Sequence, residues 1–322
     1  MDPDATLSCP VCRFPRCRFW RRLEDRFFRV TRATFPLYRC PECGLRFQRA
    51  SAVADRIPGF YPPGYWWDPE GDPRGVEGLY REWVLRRDQL RFVLSAAPPE
   101  KGRRLLDIGC GSGTFLKLAR EAGFRVKGLE ASPEAGEAAE KILPGRVVVG
   151  DERDLIRGGA TFHVLTLFHV LEHLPRPLDY LRRIRRLLAD DGGLVVQVPN
   201  SHSIQAALLG SRWYGLDCPR HIHNFTSRAL IELLGRAGFR VRRVRHFSLR
   251  DNAAALVSSL FPGLDPMSRK VRLLREEKRA RSRGLLATEA VYFGLLLLAQ
   301  PLAATEAALG RGATVTVFAT AE

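Results

Sequence analysis

The chain has 322 residues, of which 45% are hydrophobic, and its 51 Lys and Arg against 35 Asp and Glu give a formal net charge of +16. It contains no internal repeat or low-complexity segment, which excludes repeat proteins and disordered chains, and its length suits one large domain with an appendage. The charge favours polyanionic partners such as nucleic acid, an anionic membrane face or phosphorylated substrates, or else an arginine-rich solvated surface. The polar start, with Asp2 and Asp4, predicts no signal peptide, so we expect a reducing cytoplasm.

Two Cys-x-x-Cys pairs dominate residues 1–50: Cys9 with Cys12, and Cys40 with Cys43. In a reducing compartment this pattern predicts one structural zinc held by four thiolates, in a small zinc-ribbon-like module. A metal-free pair of turns with buried thiols is the alternative. Such a module either binds nucleic acid or serves as a staple or docking surface.

A Pro/Gly-rich aromatic segment at 51–78 follows, and it predicts a linker that either covers the site as a lid or packs between two domains. The apolar spacing over 79–97 predicts an amphipathic helix that begins the main domain, 79–322.

The central stretch of the chain is an apolar run, Leu105–Ile108, followed by Gly109, Gly111 and Gly113 and then by helical spacing. The pattern predicts a buried parallel strand, a glycine loop and a helix start. Glycines let the backbone approach a ligand closely, and amides at the helix start point toward it. The last glycine of the nicotinamide fingerprint is missing.

This loop, with Asp107 ahead of it, reads Asp-x-Gly-x-Gly-x-Gly and resembles the first motif of class I S-adenosylmethionine-dependent methyltransferases. The resemblance covers about residues 79–322. It implies that Asp107 and the three glycines form part of the cofactor site.

Two acidic residues follow at the ends of the next predicted strands. Glu130 lies about twenty residues beyond the first glycine, where a carboxylate can accept both ribose hydroxyls. Asp151 follows a strand at 146–149, and the resemblance implies a place beside the adenine amino group. A surface acid and a turn-capping aspartate are the respective alternatives.

The fourth predicted strand, 162–168, is followed by His169 and then by Glu172 and His173. The Leu-Glu-His triplet resembles the corresponding loop of ubiquinone-biosynthesis-like methyltransferases. Because strand ends form the ligand crevice of such sheets, we expect His169 to contact the cofactor. His173 is a candidate general base, Glu172 with His173 could bind a divalent ion, and either histidine could instead only shape the loop.

A long loop, 213–226, carries aromatic residues together with Arg220, His221 and His223. It resembles a subgroup of small-molecule methyltransferases found with cell-surface glycan and lipid pathways, and its position suits an acceptor pocket. We expect one of the two histidines to act as general base. His221 is favoured because Arg220 beside it could hold an anionic acceptor.

Strand and helix alternate along 103–320, which predicts an α/β, doubly wound, mostly parallel sheet. The resemblance implies seven strands, with the last one inserted in an antiparallel hairpin between the fifth and sixth. An insertion at about 250–312 splits that hairpin. It holds a basic run and an apolar run, 291–298, too short to span a bilayer. The insertion could contact a membrane peripherally, at its inner face, or pack on the domain or a dimer partner.

These motifs together predict a methyltransferase acting on a small-molecule, glycan or lipid-linked acceptor, with O-methylation favoured over C- and N-methylation. A ribosomal RNA methyltransferase that uses the basic surface and the zinc module is a second hypothesis. A non-catalytic S-adenosylmethionine-binding protein is a third.

Overall fold

The computed structural model describes residues 7–61, 76–98, 102–275 and 282–322. Half of the aromatic segment predicted as a linker or lid, residues 62–75, lies outside these residues, as does the middle of the basic run.

The described residues form eleven strands in two sheets. The strands are β1 Arg18–Glu24, β2 Thr34–Arg39, β3 Arg46–Gln48, β4 Arg104–Ile108, β5 Arg125–Glu130, β6 Val147–Val149, β7 Phe162–Phe168, β8 Leu188–Pro199, β9 His223–Asn224, β10 Phe239–Arg245 and β11 Thr314–Ala321.

The larger sheet has seven strands in the order β10-β11-β8-β7-β4-β5-β6. The strands β8, β7, β4, β5 and β6 are parallel, and β11 runs antiparallel to both β8 and β10. The predicted α/β fold with its inserted antiparallel last strand is confirmed. The central strands are apolar and fully buried because helices cover both faces of a parallel sheet.

Twelve α-helices lie between and around these strands in the described part of the chain. They are α1 Ala50–Val53, α2 Val76–Leu85, α3 Arg91–Ala96, α4 Thr114–Glu121, α5 Pro133–Ile142, α6 Glu152–Arg157, α7 Pro177–Ile184, α8 Ile204–Leu209, α9 Ser227–Arg236, α10 Asp251–Leu260, α11 Pro266–Arg275 and α12 Ser282–Ala308.

Short turns complete the path. One π-helical turn, Arg86–Leu90, joins α2 to α3 into the amphipathic helix expected at 79–97. The 3₁₀ turns are Ala54–Phe60, Leu171–His173, Arg185–Leu187, Gly210–Arg212 and Tyr214–Leu216.

Strand β8 begins at Leu188 and contains the triplet Asp191-Gly192-Gly193, whose residue types are typical of a turn. In the register with β7, Phe162 opposes Leu188 whereas Val164 opposes Gly193, so residues 189–192 bulge out of the ladder. Gly192 therefore lies in the bulge, and Gly193 is the residue at which the ladder resumes.

The smaller sheet joins the N-terminal module to the long loop at 213–226, which we call the acceptor loop. Its antiparallel order is β1-β2-β3-β9, and β9 belongs to the loop at 213–226. Leu45 and Phe47 of the module also share one apolar core with Leu230 and Leu233 of α9. The cysteine-containing segment is thus fixed to the main domain by both a strand pairing and a buried apolar contact.

The insertion before β11 consists of α10, α11 and α12. The apolar helix continues through Pro301, so the expectation that its apolar run is too short to span a bilayer is wrong. By length and composition, Ala287–Ala308 could cross a membrane, with a mean hydropathy of 1.3. One side of α12 nevertheless packs on α10, where Tyr292 and Leu296 are buried with Val257.

Candidate active site

The carboxyl ends of β4, β5, β7 and β8 meet at one edge of the sheet, as parallel strands require, and the predicted site residues follow these ends. The loop after β4 has Gly109, Gly111 and Gly113 at φ of +70°, +54° and +80°. A side chain at Gly109 would lie 2.5 Å from Val170, whereas one at Gly111 would meet nothing within 4 Å. The loop is closed on one side and open at Gly111, where a ligand can approach the backbone.

Glu130 ends β5 beside this opening and is only 4% exposed. Its carboxylate accepts hydrogen bonds from the backbone N–H of Gly111 at 2.8 Å and of Ser132 at 3.0 Å. Each oxygen keeps a further lone pair, so the same carboxylate can accept two ligand hydroxyls. The open glycine and the oriented carboxylate fit the ribose end of S-adenosylmethionine.

The other two acids of the cofactor hypothesis have additional local roles. Asp107 is buried beneath the loop and accepts a 2.6 Å hydrogen bond from Thr166 Oγ1, which links β4 to β7. Burial, together with the charge of Glu130, raises the pKa of Asp107 to about 7. Asp151 is exposed and caps α6 by accepting from the N–H of Arg153 at 2.8 Å.

A cavity of about 420 Å³ lies at the carboxyl ends of β7 and β8, between the long loop, α10 and α12. Its apolar lining includes Tyr80, Val84, Phe168, Trp213, Tyr214, Tyr292, Phe293 and Leu296. Its polar lining includes His169, His173, Asp217, His221 and Asp251. A largely apolar chamber with a few convergent polar groups is typical of a small-molecule site.

His169 lies between two carboxylates at the cavity wall. Its Nδ1 is 3.4 Å from Glu172 Oε1, and its Nε2 is 3.2 Å from Asp251 Oδ2. Although burial alone lowers the pKa of His169, the charge of Asp251 and hydrogen bonds to both carboxylates raise it to about 9. His169 is therefore cationic at neutral pH, which makes it unsuited to accept a proton there.

His173 and His221 face each other, with ring centroids 4.7 Å apart. His173 Nδ1 donates to the carbonyl of Arg220 at 3.1 Å, and His221 Nδ1 donates to the carbonyl of Gly215 at 2.8 Å. These bonds assign the proton to Nδ1 in each neutral ring and leave Nε2 as an acceptor. Burial and the charge of His221 lower the pKa of His173 to about 4.

Glu172 completes this group. It is almost fully buried, and one ligand atom each from Glu172, His173 and His221 lies within 4.8 Å of the others. Two imidazoles and a carboxylate can bind a divalent cation, which is the role considered for Glu172 and His173 from the sequence. The same groups can also transfer a proton. His221 Nε2 lies 4.0 Å from Glu172 and 3.9 Å from Asp217.

Arg220 does not have the role that the sequence suggested. Its side chain is 0% exposed, and it binds Asp217 at 2.6 Å and Asp25 of the N-terminal module at 2.7 Å. It also donates to the carbonyl of Phe60 at 3.0 Å. The guanidinium is therefore bound within the protein. Arg220 contacts the site only through its backbone carbonyl, which accepts the hydrogen bond from His173.

His223 lies away from the cavity. It is buried in β9 opposite Phe47 and stacks on Phe225 with ring centroids 5.9 Å apart. Burial lowers its pKa to about 4. The structure thus brings His173 and His221 to the cavity and leaves His223 in the last strand of the smaller sheet.

The four cysteines converge as the spacing predicts. Cys9 and Cys43 have their sulfurs 3.6 Å apart, and those of Cys12 and Cys40 are 3.5 Å apart. Tetrahedral zinc with Zn–S bonds of about 2.3 Å needs sulfurs about 3.8 Å apart, so this donor set fits the ion. Without a cation, burial raises the pKa of the Cys12 thiol to about 11.

The cysteine module also contacts the acceptor loop directly. Gln48 Nε2 donates to the carbonyls of Pro219 and His221 at 3.0 and 2.9 Å. The hydroxyl of Thr226, which caps α9, donates to the carbonyl of Cys43 at 2.7 Å. The backbone at Pro219 and His221 and the start of α9 are therefore held by residues of the cysteine module.

The sequence-based search missed three acids that shape the site, Asp25, Asp217 and Asp251. Asp217 lies three residues before Arg220, a spacing that could have suggested an ion pair. Asp25 and Asp251 come from distant segments, and isolated acids in an arginine-rich chain carry no comparable signal.

Comparison with known proteins places this geometry among methyltransferases. A family model described as a methyltransferase domain matches residues 80–244, about half of the chain. A ubiquinone biosynthesis O-methyltransferase of Cereibacter sphaeroides is 30% identical over 189 residues, covering 54% of this chain and 76% of that protein. One from a Caulobacter species is 34% identical over 155 residues, covering 45% of this chain and 61% of that protein.

Among solved structures, the complex of the Haloferax volcanii Trm112 methyltransferase activator with a putative methyltransferase contains a similar fold. The TM-score is 0.50 at 19% identity, with 81% of this chain and 98% of that chain covered. At this identity the likeness concerns the fold alone.

We expect Asp25→Ala to lower the free energy of unfolding by about 3–5 kcal/mol, because it leaves Arg220 buried with half of its countercharge. Urea denaturation of the variant against the wild type measures the change. Glu24→Ala, at the exposed neighbouring position, is the matched control and should change stability by less than about 0.5 kcal/mol. Equal effects for the two variants would contradict the assigned role of the ion pair.

Proposed function

This chain belongs to the family of S-adenosylmethionine-dependent methyltransferases, and we propose that it methylates a hydroxyl of a small, largely apolar acceptor bound in the cavity at the ends of β7 and β8. The observation that carries the proposal is the pair of histidines with free Nε2 atoms on the cavity wall. The O-methyltransferase names of the relatives support the same chemistry.

Glu130 and the glycine loop hold the cofactor in this proposal. Glu130 accepts hydrogen bonds from the ribose hydroxyls. Asp151 lies at the adenine end, where its Oδ1 makes the capping bond to α6 and its Oδ2 can accept from the adenine amino group. Asp107 supports the loop from beneath through Thr166. Bound S-adenosylmethionine supplies a methyl group on a sulfonium, an electrophile that needs alignment and exclusion of water more than activation.

A hydroxyl acceptor must lose a proton, and His221 is the base we propose. Its Nδ1 proton is fixed on the carbonyl of Gly215, so Nε2 can take the acceptor proton. Glu172 and Asp217, each about 4 Å from Nε2, stabilise the imidazolium that forms. His173 is the weaker candidate, because a pKa of about 4 gives it little basicity at neutral pH.

We also propose that one zinc ion occupies the four-cysteine site and that its role is structural. The ion has no open position for a substrate once four thiolates bind it. It fixes the module whose residues Gln48 and Asp25 hold the acceptor loop. The module then acts as an internal support for the acceptor half of the site.

The acceptor class can be tested by incubating the enzyme with radiolabelled methyl donor and cell-extract fractions. Label should enter the small-molecule or lipid pool as an alkali-stable O-methyl group, detected by mass spectrometry after methanolysis. Label that enters only RNA would overturn the proposal in favour of the ribosomal RNA hypothesis. Binding of the donor without any labelled product in all fractions would favour a non-catalytic protein.

Replacing Glu130 with Ala should weaken S-adenosylmethionine binding by about 1–3 kcal/mol, the cost of losing a buried charged hydrogen-bond acceptor. Isothermal titration calorimetry measures it. Glu137→Ala, an exposed acid on α5, should bind as the wild type does. Unchanged affinity in the Glu130 variant would remove the ribose assignment.

His221→Ala should lower kcat by roughly two to four powers of ten while cofactor affinity stays near that of the wild type. His173, with its pKa lowered to about 4 by burial and the charge of His221, contributes no ascending limb to the pH–rate profile above about pH 5. His202→Ala, an exposed histidine outside the cavity, is the control. Wild-type turnover in both His221→Ala and His173→Ala would exclude a histidine base.

Purified protein should contain one zinc per chain by elemental analysis, and Cys9→Ser should lose it, whereas Cys17→Ser should retain it. Cys17 is a buried cysteine of the same module whose sulfur lies outside the four-sulfur group. We expect the Cys9 variant to keep cofactor affinity yet lose turnover, because the loop that carries His221 loses its support. Absence of zinc from the wild type would contradict this assignment.

A further inference from the structure

Between Ala287 and Ala308, where the structure describes its side chains, the outward surface of α12 carries no charged group. Its exposed residues are Ala287, Ala290, Val291, Leu297, Leu298, Pro301, Leu302, Ala304, Thr305 and Ala308, and we call them the outer face of α12. Leu297 is 70% exposed and Leu298 is 79% exposed. An isolated exposed leucine is ordinary, but an uncharged surface along 22 residues of a helix is not, because soluble proteins rarely leave such faces to water.

The two acids within this stretch are turned away from the outer face. Glu306 is buried and accepts a hydrogen bond from Gln205 at 2.9 Å, and Glu289 lies 3.9 Å from Arg269. The polar side of this helix therefore faces the protein, and its apolar side faces outward.

The opposite side of α12 is held to the domain along its length. Tyr292 and Leu296 pack against α10, and Gln300 donates to the carbonyl of Leu249 at 3.2 Å. From Tyr292 to Glu306 these contacts extend over about 21 Å of helix. A helix docked in this way can lie on a membrane, but it cannot cross one while the fold is intact.

The charge of the chain favours a lipid occupant over a second copy. The sequence immediately before the apolar stretch, 269–283, has eight basic and two acidic residues, and the whole chain carries +16. A two-fold dimer through the outer face would bring two such charges together, whereas an anionic bilayer attracts them. A basic stretch of sequence that precedes an exposed apolar helix face matches the pattern of a peripheral membrane contact.

We propose that the outer face of α12 binds the surface of an anionic lipid bilayer. The inner face of the same helix lines the acceptor cavity through Tyr292, Phe293 and Leu296. A lipid-linked acceptor can then reach the cavity from the bilayer without its apolar part crossing water; this substrate class rests on the proposed function, whereas the membrane contact does not.

The test is sedimentation of the full chain with vesicles of phosphatidylcholine alone and of phosphatidylcholine mixed with phosphatidylglycerol. The wild type should bind the anionic vesicles, more weakly at high salt, and bind the neutral ones poorly. The double variant Leu297→Glu/Leu298→Glu should lower the partition coefficient on anionic vesicles by about tenfold or more. It places two negative charges on the surface that would enter the bilayer. Ile231→Glu, an exposed aliphatic position on α9, should bind as the wild type does.

Calorimetry with S-adenosylmethionine confirms that each variant is folded, and this readout requires no acceptor. Failure of the wild type to bind anionic vesicles, or equal binding by the double variant, would overturn the membrane contact. So would light scattering that shows a wild-type dimer converted to a monomer by the double variant, without vesicle binding. Vesicle binding without any methylated product would leave the contact standing and count against the proposed function alone.

Discussion

The acceptor side of the site depends on one buried guanidinium, that of Arg220. This charged side chain is 0% exposed to solvent, so it is stable there only because Asp217 and Asp25 supply opposite charges from two separate segments. The backbone carbonyl of Arg220 in turn accepts the hydrogen bond from Nδ1 of His173. A single ion-paired residue therefore ties the N-terminal module, the long loop and the histidine pair into one arrangement.

The two halves of the active site are built by different means. The cofactor half is local, since the glycine loop, Glu130 and Ser132 lie within one strand–helix–strand unit and hydrogen-bond to one another. The acceptor half is assembled from β7, the long loop, α10 and α12, and its supports come from the first fifty residues. In our proposal, substitutions in the acceptor half therefore change turnover without changing donor binding.

The insertion formed by α10, α11 and α12 shapes both the cavity and one exposed surface of this methyltransferase. Asp251 at the start of α10 neutralises His169 at the cavity wall, and α12 closes the cavity with aromatic and aliphatic side chains. The same helix presents an uncharged outer face. An element inserted between two strands of the sheet thus shapes the acceptor chamber and supplies the surface through which, in our proposal, the acceptor arrives.

The sequence by itself determined the sheet, the glycine loop and the four-cysteine group, because each depends on short-range patterns: apolar runs, glycines that permit positive φ, and paired cysteines. It also located His173 and His221 on loops at the correct edge. The tertiary structure alone decided that Arg220 is buried, that His223 is remote from the cavity, and that Asp25 and Asp251 belong to the site. The physical reason is that burial and charge pairing arise between segments far apart in the chain, and no local spacing records which acid will meet which base.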